Sequence, residues 1–538
     1  MSGPLRFLRL LSLLIGAALL GPAVPGVAQQ SQVTPYIEAQ QVLLADLNDG
    51  DVLTYTAIAA GVEAQARSGS VEAQASYRYE RRMDWEDELV DDDVHSGLAR
   101  ARWEAVPDTL SLEAGALAVR ARSNGAAPIY GFDSADDESL VQVFSAYAGP
   151  SLATRVGDLD VKASYRLGYV KVDDDSIAGL PLVDGADAPD RFDSAVNHSV
   201  TASVGMGVGD APVAWTVGAG YVREDVDRLD QRFEGSFVRG DVVVPISAEW
   251  AATGGVGYES MSASLSDFRR GPDGLPIVTP GGSLIEDRDR PRLLAYDQDG
   301  LIWDVGVIYR PNRRTEFQAR VGGRYGGTTV VGSLRHQLSP RAGLNLVVYD
   351  SVDSFGRLVV TDLVDVPTNF ALRRGGLDNG LGVGGCVFGE EAGSGVCFDD
   401  ALRAVTTANF RNRGVSLILS GGRGPWTFSA GAGYSNRKYL VPLGFAYDRV
   451  TDETVNLQAG AERQLTRTSG IGFDAYASWY DSGVAGASSV FGAGATASYN
   501  RLLFDRLQLE AALGLYTTDS GAFDSTIAQA LVGVSYAF

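Results

Sequence analysis

Serine, histidine, cysteine and the carboxylates are the side chains here with chemistry to offer, and the chain keeps them apart. His95, His198 and His336 are its only histidines, and they are distant in sequence. No Gly-x-Ser-x-Gly turn is present to lift a nucleophile above a sheet. Ser123 lies in Arg122-Ser123-Asn124-Gly125, and the position two residues before it holds Ala121. A serine with no base beside it is a poor nucleophile. These residues predict a protein that is not an enzyme, with no cofactor and no bound metal.

Cys386 and Cys397 are the only cysteines and lie in GGCVFGEEAGSGVC. In an exported chain they are expected to form a local disulfide that pins a long loop. A metal site would need more ligands than this pair. Three acidic runs, Asp84 to Asp93, Asp133 to Glu138 and Asp173 to Asp175, carry much of the net charge of −22. Solvated external loops are the expected reading. Divalent cations beside lipopolysaccharide phosphates are the alternative, although no run has the spacing and glycine of an EF-hand. The acidic balance argues against nucleic acid, whose partners carry basic patches.

The elements that hold these residues show themselves by alternation. Residues 70–82 read SVEAQASYRYERR. Val71, Ala73, Ala75, Tyr77 and Tyr79 share one face, while Glu72, Gln74, Ser76, Arg78, Glu80 and Arg82 share the other. A strand does this and a helix does not. Residues 161–172 repeat the pattern, with Arg166 on the polar face. Residues 314–325 place Arg314, Glu316, Arg320 and Arg324 opposite Thr315, Phe317, Ala319 and Val321. Segments 428–437, 455–464, 470–480 and 507–516 behave likewise. Most run longer than the five or six residues usual in soluble sheets and suit tilted membrane strands.

Short turns alternate with longer, acidic or glycine-rich connections at 83–93, 123–139, 173–194, 226–237, 267–296 and 352–401. That asymmetry, with about 22 strands (range 20–24), predicts an all-β, up-and-down transmembrane barrel with short periplasmic turns and long external loops. A soluble sandwich of this size would bury some strands on both faces, yet almost every strand here keeps a polar side. Glu72, Arg78, Glu80, Arg82, Arg166, Arg314, Glu316, Arg320 and Arg324 are therefore the candidate lumen lining. Rings of mixed charge tune what passes a pore. The competing reading is an interior shut by salt bridges and inward-folded loops, for which 352–401 is the candidate.

The ends agree with export. Arg6 and Arg9 precede an apolar stretch from Leu10 to Leu20 and a small-residue Gly26-Val27-Ala28, so residues 1–28 read as a signal peptide. Residues 29–538 then form a single barrel domain. At the other end Ala528, Ala530, Val532, Val534, Tyr536 and Phe538 form one apolar face that ends in an aromatic carboxylate. This pattern resembles the last strand of bacterial outer-membrane proteins, in which Tyr536 and Phe538 would be read by the barrel-assembly machinery. Outer-membrane lipid and lipopolysaccharide are the expected surroundings.

Residues 310–350 resemble a family of outer-membrane barrels associated with the PEP-CTERM/exosortase system of exopolysaccharide-producing Gram-negative bacteria. The likeness rests on Arg314-Thr315 opening a strand and Arg324-Tyr325-Gly326-Gly327 at a hairpin tip. Gly332-Ser333 with His336, and Tyr349 in the next strand, extend it. The resemblance implies location and a link to exopolysaccharide rather than a chemistry. Ser123-Asn124-Gly125 is similar to part of an outer-membrane phospholipase pattern, which requires a histidine where Ala121 stands. The resulting expectation is a porin-like or exopolysaccharide-secretion pore passing polar solute. The alternative is a receptor-like surface barrel, closed inside, that binds partners through its acidic loops.

Overall fold

The computed structural model describes residues 30–84, 92–122, 140–173, 192–209, 211–272, 277, 284–371, 385–442, 450–484, 487–521 and 524–538. The expected signal peptide, Ser123 and most of the acidic runs lie outside these residues.

Alternating side chains leave the backbone free to pair on both edges, and the described chain pairs throughout. The strands are β1 (Gln30–Asp46), β2 (Val52–Arg67), β3 (Val71–Asp84), β4 (Asp92–Val106), β5 (Leu110–Arg122), β6 (Leu140–Val156), β7 (Leu159–Asp173) and β8 (Ser194–Met206). They continue as β9 (Ala214–Val226), β10 (Gln231–Pro245), β11 (Trp250–Leu265), β12 (Leu293–Asn312), β13 (Thr315–Arg324), β14 (Gly327–Ser339) and β15 (Ala342–Asp353). The circuit ends with β16 (Asn409–Arg423), β17 (Trp426–Leu440), β18 (Thr451–Thr466), β19 (Ser469–Asp481), β20 (Val490–Leu503), β21 (Leu507–Asp519) and β22 (Asp524–Ala537). They form one 22-stranded antiparallel sheet in which each strand pairs with its sequence neighbours. The first strand pairs with both β2 and the last, placing Tyr36 opposite Ala537, so the sheet closes on itself and leaves no edge.

Most tight turns and both described termini share one end. The opposite end carries most of the longer connections. Tyr325 and Gly326 join β13 to β14 with φ of 54° and 68°. Two consecutive left-handed residues make the turn whose twist matches a hairpin, and glycine at the second place removes the strain there. The expected long loop at 226–237 is instead a three-residue helical turn, Arg228–Asp230, between β9 and β10. Composition there looked loop-like because Asp, Arg and Gln on the inner strand face are read as solvent-facing.

Val33, Ile37 and Leu43, Leu301, Trp303 and Val305, and Val532, Val534 and Tyr536 all lie exposed on the outer wall. An apolar band on a closed barrel with every strand paired is the arrangement that hydrocarbon accepts. The protein is a bacterial outer-membrane β-barrel. The inner wall departs from the expectation of uniform wetness. Toward the loop end, Leu117, Val119 and Ala121 of β5, Val141 and Val143 of β6, and Val170 and Val172 of β7 face inward and are buried in an apolar core. What covers them defines the candidate site.

Candidate functional site

The chain between β15 and β16 turns into the barrel. It begins with helix α1 (Phe355–Asp365), capped by Ser354, whose hydroxyl accepts from the Arg357 N–H at 3.2 Å. Phe355, Val359 and Leu363 recur at helical spacing, and none is more than 1% exposed. They pack on Val119, Val143, Val170 and Val172 of the wall. Burial of side chains of this size is worth about 1.5–3 kcal/mol each.

Below the helix the segment reaches the short-turn end. Asn369 donates to Glu72 at 2.6 Å, and the Phe370 N–H donates to the Gln74 side chain at 2.9 Å, both close to the β2–β3 turn. A small hairpin follows, Cys386–Gly389 paired with Gly395–Cys397, closed by the Cys386–Cys397 disulfide expected from sequence. At its tip the Gly393 N–H donates to Ser420 at 2.9 Å, again near the short-turn end. The short helix α2 (Asp399–Leu402) leads back toward β16. The segment therefore descends and reascends most of the lumen's height.

Buried charge fixes it to the wall. Arg357 binds Glu224 of β9 at 3.1 Å, with 6% and 1% of the two side chains exposed. Arg403 binds Asp452 of β18 at 2.7 Å, with 1% and 0% exposed, and also donates to Ser435 and Thr454. Arg437 of β17 binds Asp400 at 3.0 Å, and Asn412 and Tyr349 donate to the same carboxylate at 2.6 and 3.2 Å. Arg100 of β4 donates to the carbonyls of Val366 and Val364 at 2.9 and 3.0 Å. Removing one member of such a pair strands a buried charge, a loss of about 3–5 kcal/mol. Beside the disulfide, Gly431 of β17 admits the sulfurs: an added Cβ would sit 2.9 and 3.0 Å from them and 2.7 Å from the Gln458 amide.

The candidate lumen residues are placed as follows. Arg78 binds Glu38 at 3.0 Å and also Glu80, and Arg82 binds Glu80 at 2.6 Å. Glu72 accepts from Arg67 at 2.9 Å as well as from Asn369. Arg320 binds Asp241 at 2.8 Å, and Arg324 binds Glu259 at 2.7 Å. Glu316 pairs with Arg310 at 2.6 Å near the short-turn rim. Arg166 faces inward, within electrostatic reach of Asp365. Arg314 is a correction: it sits exposed in the turn between β12 and β13, its N–H bonded to the Asn312 side chain at 2.8 Å. The alternation counted it with β13 because the turn is too short to break the period. Most of the lining is thus paired, and four of these residues form two local networks rather than one ring.

Sequence reading missed Arg357, Arg403, Arg437, Glu224, Asp400 and Asp452. The wall members look like any other lumen charge. Phe355, Val359 and Leu363 at i, i+4 and i+8 were the available signal for a helix with one apolar face. On the loop side, Asp267 accepts from Arg270, Arg290 and the Phe268 N–H. Burial raises its pKa, but these donors outweigh burial and hold the carboxyl below its ordinary value.

No family model and no curated protein matches the chain. Among solved structures it is similar to the ferric-catecholate import receptor Fiu from E. coli K12 in its open form, with a TM-score of 0.47 and 10% identity over 94% of this chain and 81% of that one. The FrpB iron transporter from Neisseria meningitidis in its apoprotein form gives the same values. The siderophore receptor PiuA from Acinetobacter baumannii gives 0.43 and 9%, over 94% of this chain and 82% of that one. Likeness at this level is one of strands around a barrel and says nothing of a ligand.

Proposed function

We propose that the protein is a porin-like channel for polar solutes whose lumen is narrowed, not sealed, by the segment folded in between β15 and β16. The observation that carries this reading is the size of that segment against the size of the ring. At the usual strand spacing and tilt, 22 strands enclose roughly 40–45 Å between opposite backbones, or roughly 30–35 Å inside the side chains. The described residues of that segment, 354–371 and 385–408, make a compact body about 24 Å across. It fills about half of the cross-section at its widest and leaves a hydrated remainder beside it. The alternating wall supplies that remainder with amides, hydroxyls and carboxylates at no desolvation cost.

The link to exopolysaccharide implied by the family resemblance is proposed as the solute class: a saccharide, neutral or charged, small enough to pass the segment. Single-channel recording in planar bilayers tests the channel. Steady currents from folded, heat-modifiable protein support it. Silence would favour the receptor-like reading, for which the closely bonded segment also speaks.

A further inference from the structure

The wall is notched at the loop end beside β12. That strand pairs with β11 from Leu293 to Tyr309, but its ladder with β13 begins only at Trp303, opposite Gly323. β13 and β14 turn back at Tyr325-Gly326, so among the described residues Leu293 to Ile302 run on with no strand on that side. Such an edge presents backbone N–H and C=O groups. Between it and the hairpin tip lies a cavity of about 180 Å³. The cavity crosses the wall, from Leu301 on the outer face to Ile302 and Glu259 on the inner face. We propose that this notch binds one uncharged sugar ring at the external rim, through Gln298, Arg324 and the backbone around the hairpin tip. The site goes beyond the channel reading and stands or falls apart from it.

Size and charge narrow the ligand. The volume falls below the ~300–1,000 Å³ of sites for drug-sized molecules, which suits a single ring rather than a chain. Glu259 and Arg324 are the charged residues of the lining, and they neutralise each other: Arg324 Nε donates to Glu259 at 2.7 Å. The Tyr325 N–H donates to the same carboxylate at 3.3 Å. Arg411, behind Gly327, is bound to Asp350 at 2.8 Å. A ligand with its own net charge finds no unmatched partner in the lining.

Hydrogen-bonding capacity narrows it further. The Gln298 amide nitrogen donates to the Asp299 carbonyl at 3.2 Å. Its Oε1 is thereby turned toward Gly326, 2.8 Å from where a Cβ on that glycine would stand. This oxygen accepts, while the Nη groups of Arg324 donate. Hydroxyl groups satisfy both, whereas a carboxylate only accepts and an ammonium only donates. At Gly300 a Cβ would meet nothing within 4 Å, so the space before the strand is open. Leu301 and Ile302 offer the C–H face of a ring an apolar contact. The tip is held in place for this. Tyr325 packs against the cluster of Phe233, Met261 and Val352, and the guanidinium groups of Arg324 and Arg411 lie 4.6 and 5.4 Å from its ring. A wall fixed before the ligand arrives loses little on binding.

The test is a titration of the folded, detergent-solubilised barrel, followed by saturation-transfer difference NMR. The probes are the methyl glycosides of glucose, galactose and mannose, with glucuronate as the charged counterpart. At least one neutral glycoside should bind saturably. Gln298→Leu should weaken that binding about three- to ten-fold, the loss of one hydrogen bond. Gly327→Leu, where a Cβ meets only the Arg411 guanidinium at 3.4 Å, should fill the notch and abolish binding. Heat-modifiable migration shows that each variant is folded, and either variant suffices if the other is not. The same ring occurs free and in the core of lipopolysaccharide. Competition by added lipopolysaccharide identifies the lipid's sugars as the source, and its absence identifies a free saccharide. No saturable binding of any neutral glycoside, binding that both variants leave unchanged, or glucuronate bound more than ten-fold tighter would overturn the site. A barrel that binds the glycoside yet passes no current overturns the channel reading and leaves the site standing.

Discussion

Deleting the folded-in segment is the perturbation whose outcome the structure fixes most closely. Asp353 at the end of β15 lies opposite Phe410 near the start of β16. A two-residue Asn-Gly turn can therefore replace residues 354–409 and close the hairpin without moving either strand. The barrel loses the apolar core that α1 makes with β5–β7, but it keeps every strand pairing. With a body about 24 Å across removed from a lumen roughly 30–35 Å wide, open cross-section at the narrowest level rises about two- to three-fold. Single-channel conductance should rise by a similar factor, with heat-modifiable migration showing that the barrel is folded. An intact barrel with unchanged conductance would refute the claim that this segment sets the bore.

Smaller perturbations address the attachments. Asp452→Ala strands Arg403 in a site where only 1% of its side chain is exposed, so the segment should loosen by about 3–5 kcal/mol, seen as faster proteolysis between β15 and β16. Gly431→Val places side-chain atoms where the disulfide sulfurs lie, and the same proteolysis should increase while strand pairing persists. Cys386→Ser with Cys397→Ser removes a short-loop crosslink and should cost the segment about 3 kcal/mol, read by hydrogen exchange across 385–398. Asp267 has a lowered pKa, so its contribution to ordering the loop between β11 and β12 is complete above the unfolded value of about 3.9 and fades as pH falls below it. Loop proteolysis should rise in that acid range and not near neutrality.

The barrel was legible because its cause is repeated in each strand. Alternation at 70–82, 161–172 and 314–325 reappears as an outer face of Tyr, Ala and Val and an inner face of Glu, Arg and Gln. The hairpin tip at Tyr325-Gly326 was legible from its turn residues. The direction of the segment after β15 was not. Gly and acidic residues around Cys386 and Cys397 fit a solvated loop as well as a body enclosed by a charged wall. What decides between them is the apolar inner face of β5–β7, visible only when Leu117, Val143 and Val170 are brought together from separate strands. Arg314 was misplaced for a related reason: period alone does not mark where a strand becomes a two-residue turn.

The most direct measurement asks whether the segment reaches the floor of the barrel. Asn369 and Glu72 share a 2.6 Å hydrogen bond, one on the segment and the other beside the β2–β3 turn. With Asn369→Cys and Glu72→Cys in membrane-embedded protein, oxidation should link them in high yield, detected as a mobility shift reversed by reductant. A pair that stays reduced, while an Arg67→Cys and Glu72→Cys control on adjoining strands forms its crosslink, would place the segment outside the lumen.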